Sequence, residues 1–465
     1  MKKLLLIATF ISVYTTTLAQ QYALFGTQSM FDAFENPSQK SFTLDSSRKF
    51  SSNFLLPYFN INAANSGSSD NVVRRFIQEG TFDTRNLPLG HGDINRAFVN
   101  SNIYVATFRI FQSYKYQKEL GFSWQIRTDG QANYTNENLA IFDSYTRFPQ
   151  GVELNGIFNA SGYQESYHQF SFTYRENWDK RLAFGLKLSI LTGISYIDGN
   201  INNSRLFING DDNYLRIGLN GDYRSTITDT EKFNKNTVIP NFKNPGLSFG
   251  FGTNYKTKKG LFLMANIKDL GFIWWRNNPQ QNTLNANKVI ENIDYNQDNT
   301  NQEIKDIFVL NNTSKKFLTP TNAKIDVYLS KQFGFYKPGL AISKNLFYKG
   351  GDVAFVNTFN YDNLSASVTP TYNFNKIFML GLQGKYQTPN FEFFMGTENL
   401  IGTGYFANGL LNDRLSGTGH NGASFYMGIG IKFGNVVNHP QFSDMIPGIN
   451  DKDNGSLFRW FKSLF

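Results

Sequence analysis

The 465-residue chain has no cysteine, so neither disulfide bonds nor lipid attachment at a cysteine is available to it. Histidine is scarce as well: His91, His168, His420 and His439 lack the paired spacing of a zinc site, and no H-E-x-x-H occurs. Beyond residue 19 no apolar run reaches the ~20 residues that a membrane-crossing helix needs. With a mean hydropathy of −0.37, this excludes a helical membrane protein.

What is present points elsewhere. Lys2 and Lys3 precede an apolar core over residues 4–13, and Thr17, Leu18 and Ala19 precede Gln20. This is the layout of a cleavable secretory signal, with cleavage expected after Ala19. Aromatic residues make up 16% of the chain, with 46 Phe and 24 Tyr, and glycine numbers 39. That composition suits strands banded by interfacial aromatic girdles, with glycine at crowded interior positions and tight turns. The net charge of +9 raises nucleic-acid binding, but the cations are scattered over turns and inward positions, so no nucleic-acid partner is expected.

Within residues 423–433, Phe425, Met427, Ile429, Ile431 and Phe433 alternate with Ser424, Tyr426, Gly428, Gly430 and Lys432. One face suits lipid and the other a polar interior, the pattern of a transmembrane β-strand. The same period recurs at residues 104–110, 122–127, 169–175, 186–190, 247–252, 325–330 and 380–385. Weaker candidates lie at residues 49–63, 214–227, 261–272, 339–347, 353–360, 364–373 and 391–401. The expected fold is all-β: a transmembrane antiparallel β-barrel of about 14 strands, an even number being usual. Length alone suggests several soluble domains, but the strands follow one another without a long linker, so one barrel is the simpler reading. The expected organisation is a signal over residues 1–19, a plug or periplasmic segment over 20–48, the barrel over 49–434 and a tail over 435–465.

Charges are tolerable in a lumen and costly against lipid. Arg109, Arg127, Arg175, Lys187, Asp269, Asp326, Lys385, Glu392 and Glu398 are therefore expected to face inward. Pairing that braces a closed interior is favoured over a charged permeation path. Short connectors at residues 177–180, 257–260 and 373–376 read as periplasmic turns, and the long ones as outer loops. The longest, residues 277–316, is rich in Asn, Gln and Asp and reads as an exposed loop. Val72, Val73, Phe76 and Ile77, and separately Leu139, Phe142 and Tyr145, have near-helical spacing; helices packed on loops are favoured over pore covers. In the tail, Leu457, Phe461, Leu464 and Phe465 share one face of an amphipathic docking helix. A terminal-Phe assembly signal is the alternative.

Three short motifs lack the context their chemistry needs. Gly246-Leu247-Ser248-Phe249-Gly250 fits G-x-S-x-G, but inside a strand rather than at a strained strand-to-helix turn. Gly417-Thr418-Gly419-His420-Asn421-Gly422 fits G-x-G-x-x-G but precedes a strand instead of a helix. Asp294, Asn296 and Asp298 have calcium-loop spacing, yet Asn299 replaces the turn glycine and Lys305 the final acid. Catalysis, metals and cofactors are not expected.

Asn36-Pro37-Ser38 resembles the Asn-Pro-Ala signature near the start of FadL-like barrels, with Ser38 in place of Ala. Lys187-Leu188-Ser189-Ile190-Leu191-Thr192-Gly193, Asn244-Pro245-Gly246, Asp269-Leu270-Gly271-Phe272-Ile273-Trp274 and Leu318-Thr319-Pro320-Thr321 resemble, in that order, patterns of an uncharacterised Bacteroidetes-type outer-membrane barrel family. The resemblance implies a single outer-membrane barrel related to FadL-like and PorV-like proteins, in contact with outer-membrane lipid. Two functions follow from it. One is a plugged channel for hydrophobic or small amphipathic solutes; the other is an accessory component of an outer-membrane secretion or assembly machine. Transport is placed ahead, because barrels with polar lumens commonly conduct something.

Overall fold

The computed structural model describes residues 26–41, 48–113, 118–227, 239–293, 297–309, 313–374, 376–412 and 420–436. The expected signal sequence, the docking residues Leu457, Phe461, Leu464 and Phe465, and Asp294 and Asn296 lie outside them.

Among the described residues the first element is a short helix, α1 (Asp32–Glu35), and the wall follows. Strands β1 (Arg48–Ser52) and β2 (Tyr58–Ser66) run in line, followed by β3 (Ile94–Ser113), β4 (Lys118–Thr135), β5 (Leu154–Asn155), β6 (Ala160–Asn177), β7 (Leu182–Asn209) and β8 (Tyr214–Ser225). Next come β9 (Pro245–Lys256), β10 (Leu261–Trp275), β11 (Gln280–Glu291), and β12 (Phe317–Pro320) in line with β13 (Lys324–Lys331). The wall ends with β14 (Tyr336–Asn345), β15 (Gly351–Tyr361), β16 (Leu364–Asn373), β17 (Ile377–Gln387), β18 (Phe391–Thr397) and β19 (His420–Val436). β19 pairs with both β2 and β1, closing a ring of 14 antiparallel staves. Closure leaves no sheet edge in hydrocarbon, where each unpaired backbone group is costly.

Period-2 alternation decides the facing. Leu188 and Ile190 are more than half exposed, while Lys187 and Ser189 between and beside them are buried. β14 to β17 are 10 or 11 residues long, enough to cross about 30 Å of hydrocarbon when tilted. β3, β4, β6 and β7 have 18 to 28 residues and project beyond that span. Among the described residues no helix is long and apolar enough to cross a membrane.

Several local expectations need correction. Residues 214–227 do not join the ring: β8 pairs with the projecting half of β7 and carries β11 on its other side. Residues 277–316 are not a plain loop, because β11 and the helix α4 (Gln297–Val309) fall there. Ile290, Ile304 and Ile307 from this insertion join Ile141, Phe158, Leu206 and Ile217 in one core above the barrel, which the asparagine-rich composition concealed. The helices α2 (Asp70–Glu79) and α3 (Asn136–Ala140) also lie at this end. The connector at residues 373–376 belongs to this same end and not to the short-turn rim, because β16 and β17 meet here at Asn373 and Ile377.

In two staves side chains stand in for part of the ladder. Between β1 and β2, residues 53–57 leave the ladder, with Phe54 and Leu55 at positive φ and their side chains exposed. The Asn53 side chain replaces the missing rungs: its Oδ1 accepts from Thr107 N at 2.8 Å, and its Nδ2 donates to Leu56 O at 2.8 Å. β18 stops at Thr397, short of the expected strand to Ile401, where its last pairs are Thr397 with Leu382 and Gly396 with Tyr426. Asn399 then caps the helix α5 (Leu400–Leu411) by accepting from Gly402 N, and the helix continues the wall beside β19 and β17. There side chains substitute for the ladder: Glu398 N donates to Ser424 Oγ at 2.9 Å, and Ser424 N to Thr403 Oγ1 at 3.2 Å.

Candidate functional site

Residues 26–41 run inside the lumen, and local polar side chains shape them. The Asp32 carboxylate accepts from Thr27 Oγ1, Gln28 N and Ser29 Oγ at 2.6 to 2.8 Å, which fixes the approach to α1. Asn36 Oδ1 accepts from Ser38 N at 3.0 Å and Ser38 Oγ at 2.8 Å, so Asn36-Pro37-Ser38 is an Asx turn that reverses the chain. The wall makes room for it: a β-carbon on Gly185 would overlap the Pro37 carbonyl, and one on Gly252 would overlap Asn36 Oδ1. Met30, Phe31 and Phe34 are fully buried, with Phe31 stacked on Tyr58 at 4.7 Å and also against Tyr104 and Phe394.

Both ends of the segment are tied near the short-turn rim. Lys337 Nζ donates to Gly26 O at 2.9 Å, Lys385 Nζ to Thr27 O, and Gln387 Nε2 to Gln28 O at 3.1 Å. Met30 N donates to Glu392 Oε1 at 2.8 Å. On the return leg, Arg175 Nε donates to Ser38 O at 2.7 Å and Ser41 N donates to Glu119 Oε2 at 3.3 Å. Arg109 holds the same Glu119 oxygen at 2.9 Å.

The innermost point is Glu35. Its carboxylate meets Arg127 Nη2 at 3.1 Å and Lys268 Nζ at 2.7 Å, and accepts from Asn102 Nδ2 and Tyr104 OH. Arg127 also pairs with Asp269, whose other oxygen meets Lys187 Nζ at 3.1 Å and accepts from Gln169 Nε2 at 2.7 Å. A β-bulge makes this possible. The β9 to β10 register shifts between Ile267 and Leu270, with Asp269 at φ 52°, so consecutive Lys268 and Asp269 are both buried. Five charges thus meet in the barrel interior, and one of them, Glu35, comes from the inserted segment.

Of the nine charges expected to face inward, the structure gathers Arg127, Lys187 and Asp269 at the centre and Arg109, Arg175, Lys385 and Glu392 around the segment's ends. Asp326 adjoins the centre, accepting from Ser343 Oγ at 2.7 Å and from Asn266 Nδ2 at 3.3 Å, the amide that also donates to Glu35 O at 2.9 Å, and Glu398 lies buried just before α5. Glu35, Glu119 and Lys268 escaped sequence reading. Residues 26–41 have no strand period to place Glu35; the charged pair Lys268-Asp269, between apolar neighbours, was a legible sign of the bulge. Ser248 lies in β9, where its hydroxyl accepts from Gln169 Nε2 at 3.3 Å. Among the described residues no three His, Cys, Asp or Glu side chains converge as metal ligands would.

A closed ring of 14 antiparallel staves of transmembrane length, with residues 26–41 held inside it, defines the class: a transmembrane β-barrel. Within that class the chain belongs to the family of unknown function DUF5723, whose model matches residues 44–398. No curated protein matches the sequence. Among solved structures, the chain is similar to a Pseudomonas aeruginosa FadL homologue, at 10% identity over 89% of this chain and 96% of that one, with a TM-score of 0.43. Similar values relate it to the Ralstonia pickettii toluene transporter TbuX: 9% identity, 84% and 90% coverage, and 0.40. For the P. putida toluene transporter TodX they are 10%, 91% and 96%, and 0.38.

Proposed function

We propose that this protein is a gated outer-membrane channel for hydrophobic or small amphipathic solutes, with residues 26–41 as its plug. The observation that carries this reading is how the lumen is filled. Side chains alone fill a barrel of about eight strands, and wider barrels leave a passage unless something occupies it. Here the occupant is a separate segment, tethered at both ends near one rim and held by hydrogen bonds and ion pairs that can break and re-form. Aromatic clusters on both sides of the centre suit an apolar solute. Phe31, Tyr58, Tyr104 and Phe394 form one, and Tyr167, Tyr196, Trp275 and Phe317 form the other.

The test is uptake of a fluorescent apolar dye by liposomes containing the purified barrel, compared with empty liposomes and with a plug-weakened variant. Faster uptake through the barrel, and faster again through the variant, is expected. Equal rates in all three preparations would refute the channel.

A further inference from the structure

Beyond the barrel, the projecting half of β7 forms a three-stranded sheet with β8 and β11, and its β11 side is open. β11 pairs with β8 without a register shift from Gln280 to Glu291. On its other side the pairing among the described residues is a single bridge, in which Gln281 N donates to Thr313 O at 3.0 Å and Thr313 N donates to Gln281 O at 2.9 Å. That bridge fixes the direction of the later groups, because successive residues of an antiparallel strand turn their N–H and C=O to opposite sides. The N–H and C=O of Asn285, Asn287, Val289 and Glu291 therefore face away from β8, and none of them has a partner among the described residues. All four side chains are exposed.

A free edge is a template for another strand, and proteins guard it with proline, bulges, lysines or a cover. Residues 280–291 contain no proline and no bulge, and their one lysine, Lys288, is turned to α4, where its Nζ meets Glu303 Oε2 at 2.9 Å. An extended backbone is what matches donors and acceptors that recur at every second residue. Antiparallel self-pairing of two copies needs a two-fold axis normal to the sheet. This sheet continues the wall through β7, so such an axis lies in the membrane plane and would turn the second barrel over. The strand has to come from a different polypeptide. Charge narrows it further: residues 283–309 hold Glu291, Asp294, Asp298, Glu303 and Asp306 against Lys288 and Lys305, an acidic stretch in a chain of net charge +9. With Lys288 taken by Glu303, Glu291 and Asp306 remain exposed.

We propose that the free edge of β11 binds an extended, basic polypeptide segment by strand addition. The test uses the full chain in phosphatidylcholine nanodiscs, measured against empty ones, with a fluorescent peptide of alternating Lys and Thr as the probe. A Lys-Pro peptide of equal charge and a Glu-Thr peptide serve as comparators. Anisotropy should show the Lys-Thr peptide bound about tenfold more tightly than either. In the free protein, amide exchange should be fast at residues 285, 287, 289 and 291 and slow at 286, 288 and 290, and the Lys-Thr peptide should slow the first set. The decisive variant is N287P. The N–H it removes points away from β8, so the existing ladder keeps its bonds, while an added strand loses a donor and meets the proline ring. N287P should weaken the Lys-Thr peptide about tenfold, and N287A should not. Slow exchange at residues 288 and 290 confirms that β8 and β11 still pair in the variant; if that pairing is lost, the exchange pattern of the wild type with and without peptide decides. Equal binding of either comparator would overturn the proposal, since it marks attraction without strand pairing or without charge preference. So would full binding by a folded N287P, no measurable binding of the Lys-Thr peptide, or amides at 285 to 291 already protected at every position in the free protein.

Discussion

Replacing Glu35 with alanine tests the plug most directly, because this one carboxylate faces two cations and two neutral donors. Arg127 keeps Asp269 after the change, but Lys268 loses its direct partner and stays buried. Removing one member of a buried ion pair costs about 3–5 kcal/mol. If that cost falls on the seated state, the equilibrium toward an unseated plug rises by roughly 150- to 5,000-fold. The wall's own ladder is untouched, so the barrel should keep its heat-modifiable migration. In planar bilayers, E35A should therefore show frequent openings where the wild type is closed. The double variant E35L/K268M removes both charges and should close the channel again, since no uncompensated ion remains near Arg127 and Asp269. A folded E35A barrel with wild-type conductance would refute the account of Glu35 as the latch.

Gly185→Val should unseat the turn at Asn36-Pro37-Ser38 by steric overlap, giving openings like those of E35A without loss of folded barrel; bilayer recording checks it. Asn53→Leu leaves the Thr107 N–H without its acceptor where the first stave is broken, at a cost of about 1–3 kcal/mol. Urea unfolding in liposomes should show a lower midpoint, and an unchanged one would count against the bridging role of Asn53. The double variant T403V/S424V removes the side-chain bonds that join α5 to β19, so amide exchange at residues 420–425 should accelerate while residues 426–433, paired with β18, stay protected.

The class of fold was legible because a strand exposed to lipid on one face and water on the other has to alternate, and Leu188-Ser189-Ile190 or Phe425 to Phe433 satisfies that locally. The strand candidates also gave the right ring once residues 214–227 were removed from them. That error had a physical cause: β8 alternates for its own small core above the membrane, and alternation records burial on one face without saying what lies on the other. The end of β18 was harder to see. Leu400-Ile401 resumes apolar sequence after Thr397-Glu398-Asn399, and the Asn399 cap begins a helix there. Residues 373–376 went to the wrong rim because a short connector has no sign of its own; its side follows from counting crossings of the closed ring.

The charged centre divides in the same way. Sequence alone determined that Arg109, Arg127, Arg175 and Lys187 belong to polar faces, since each sits opposite large apolar neighbours in a period-2 segment. Only the tertiary structure decided which charges meet. Arg127 and Asp269 are 142 residues apart, and Glu35 and Lys268 are 233 apart. Pairing over such separations depends on the stagger of strands around the ring and on one bulge at Asp269. Neither is written in any local pattern, because register in a barrel is set by every stave at once.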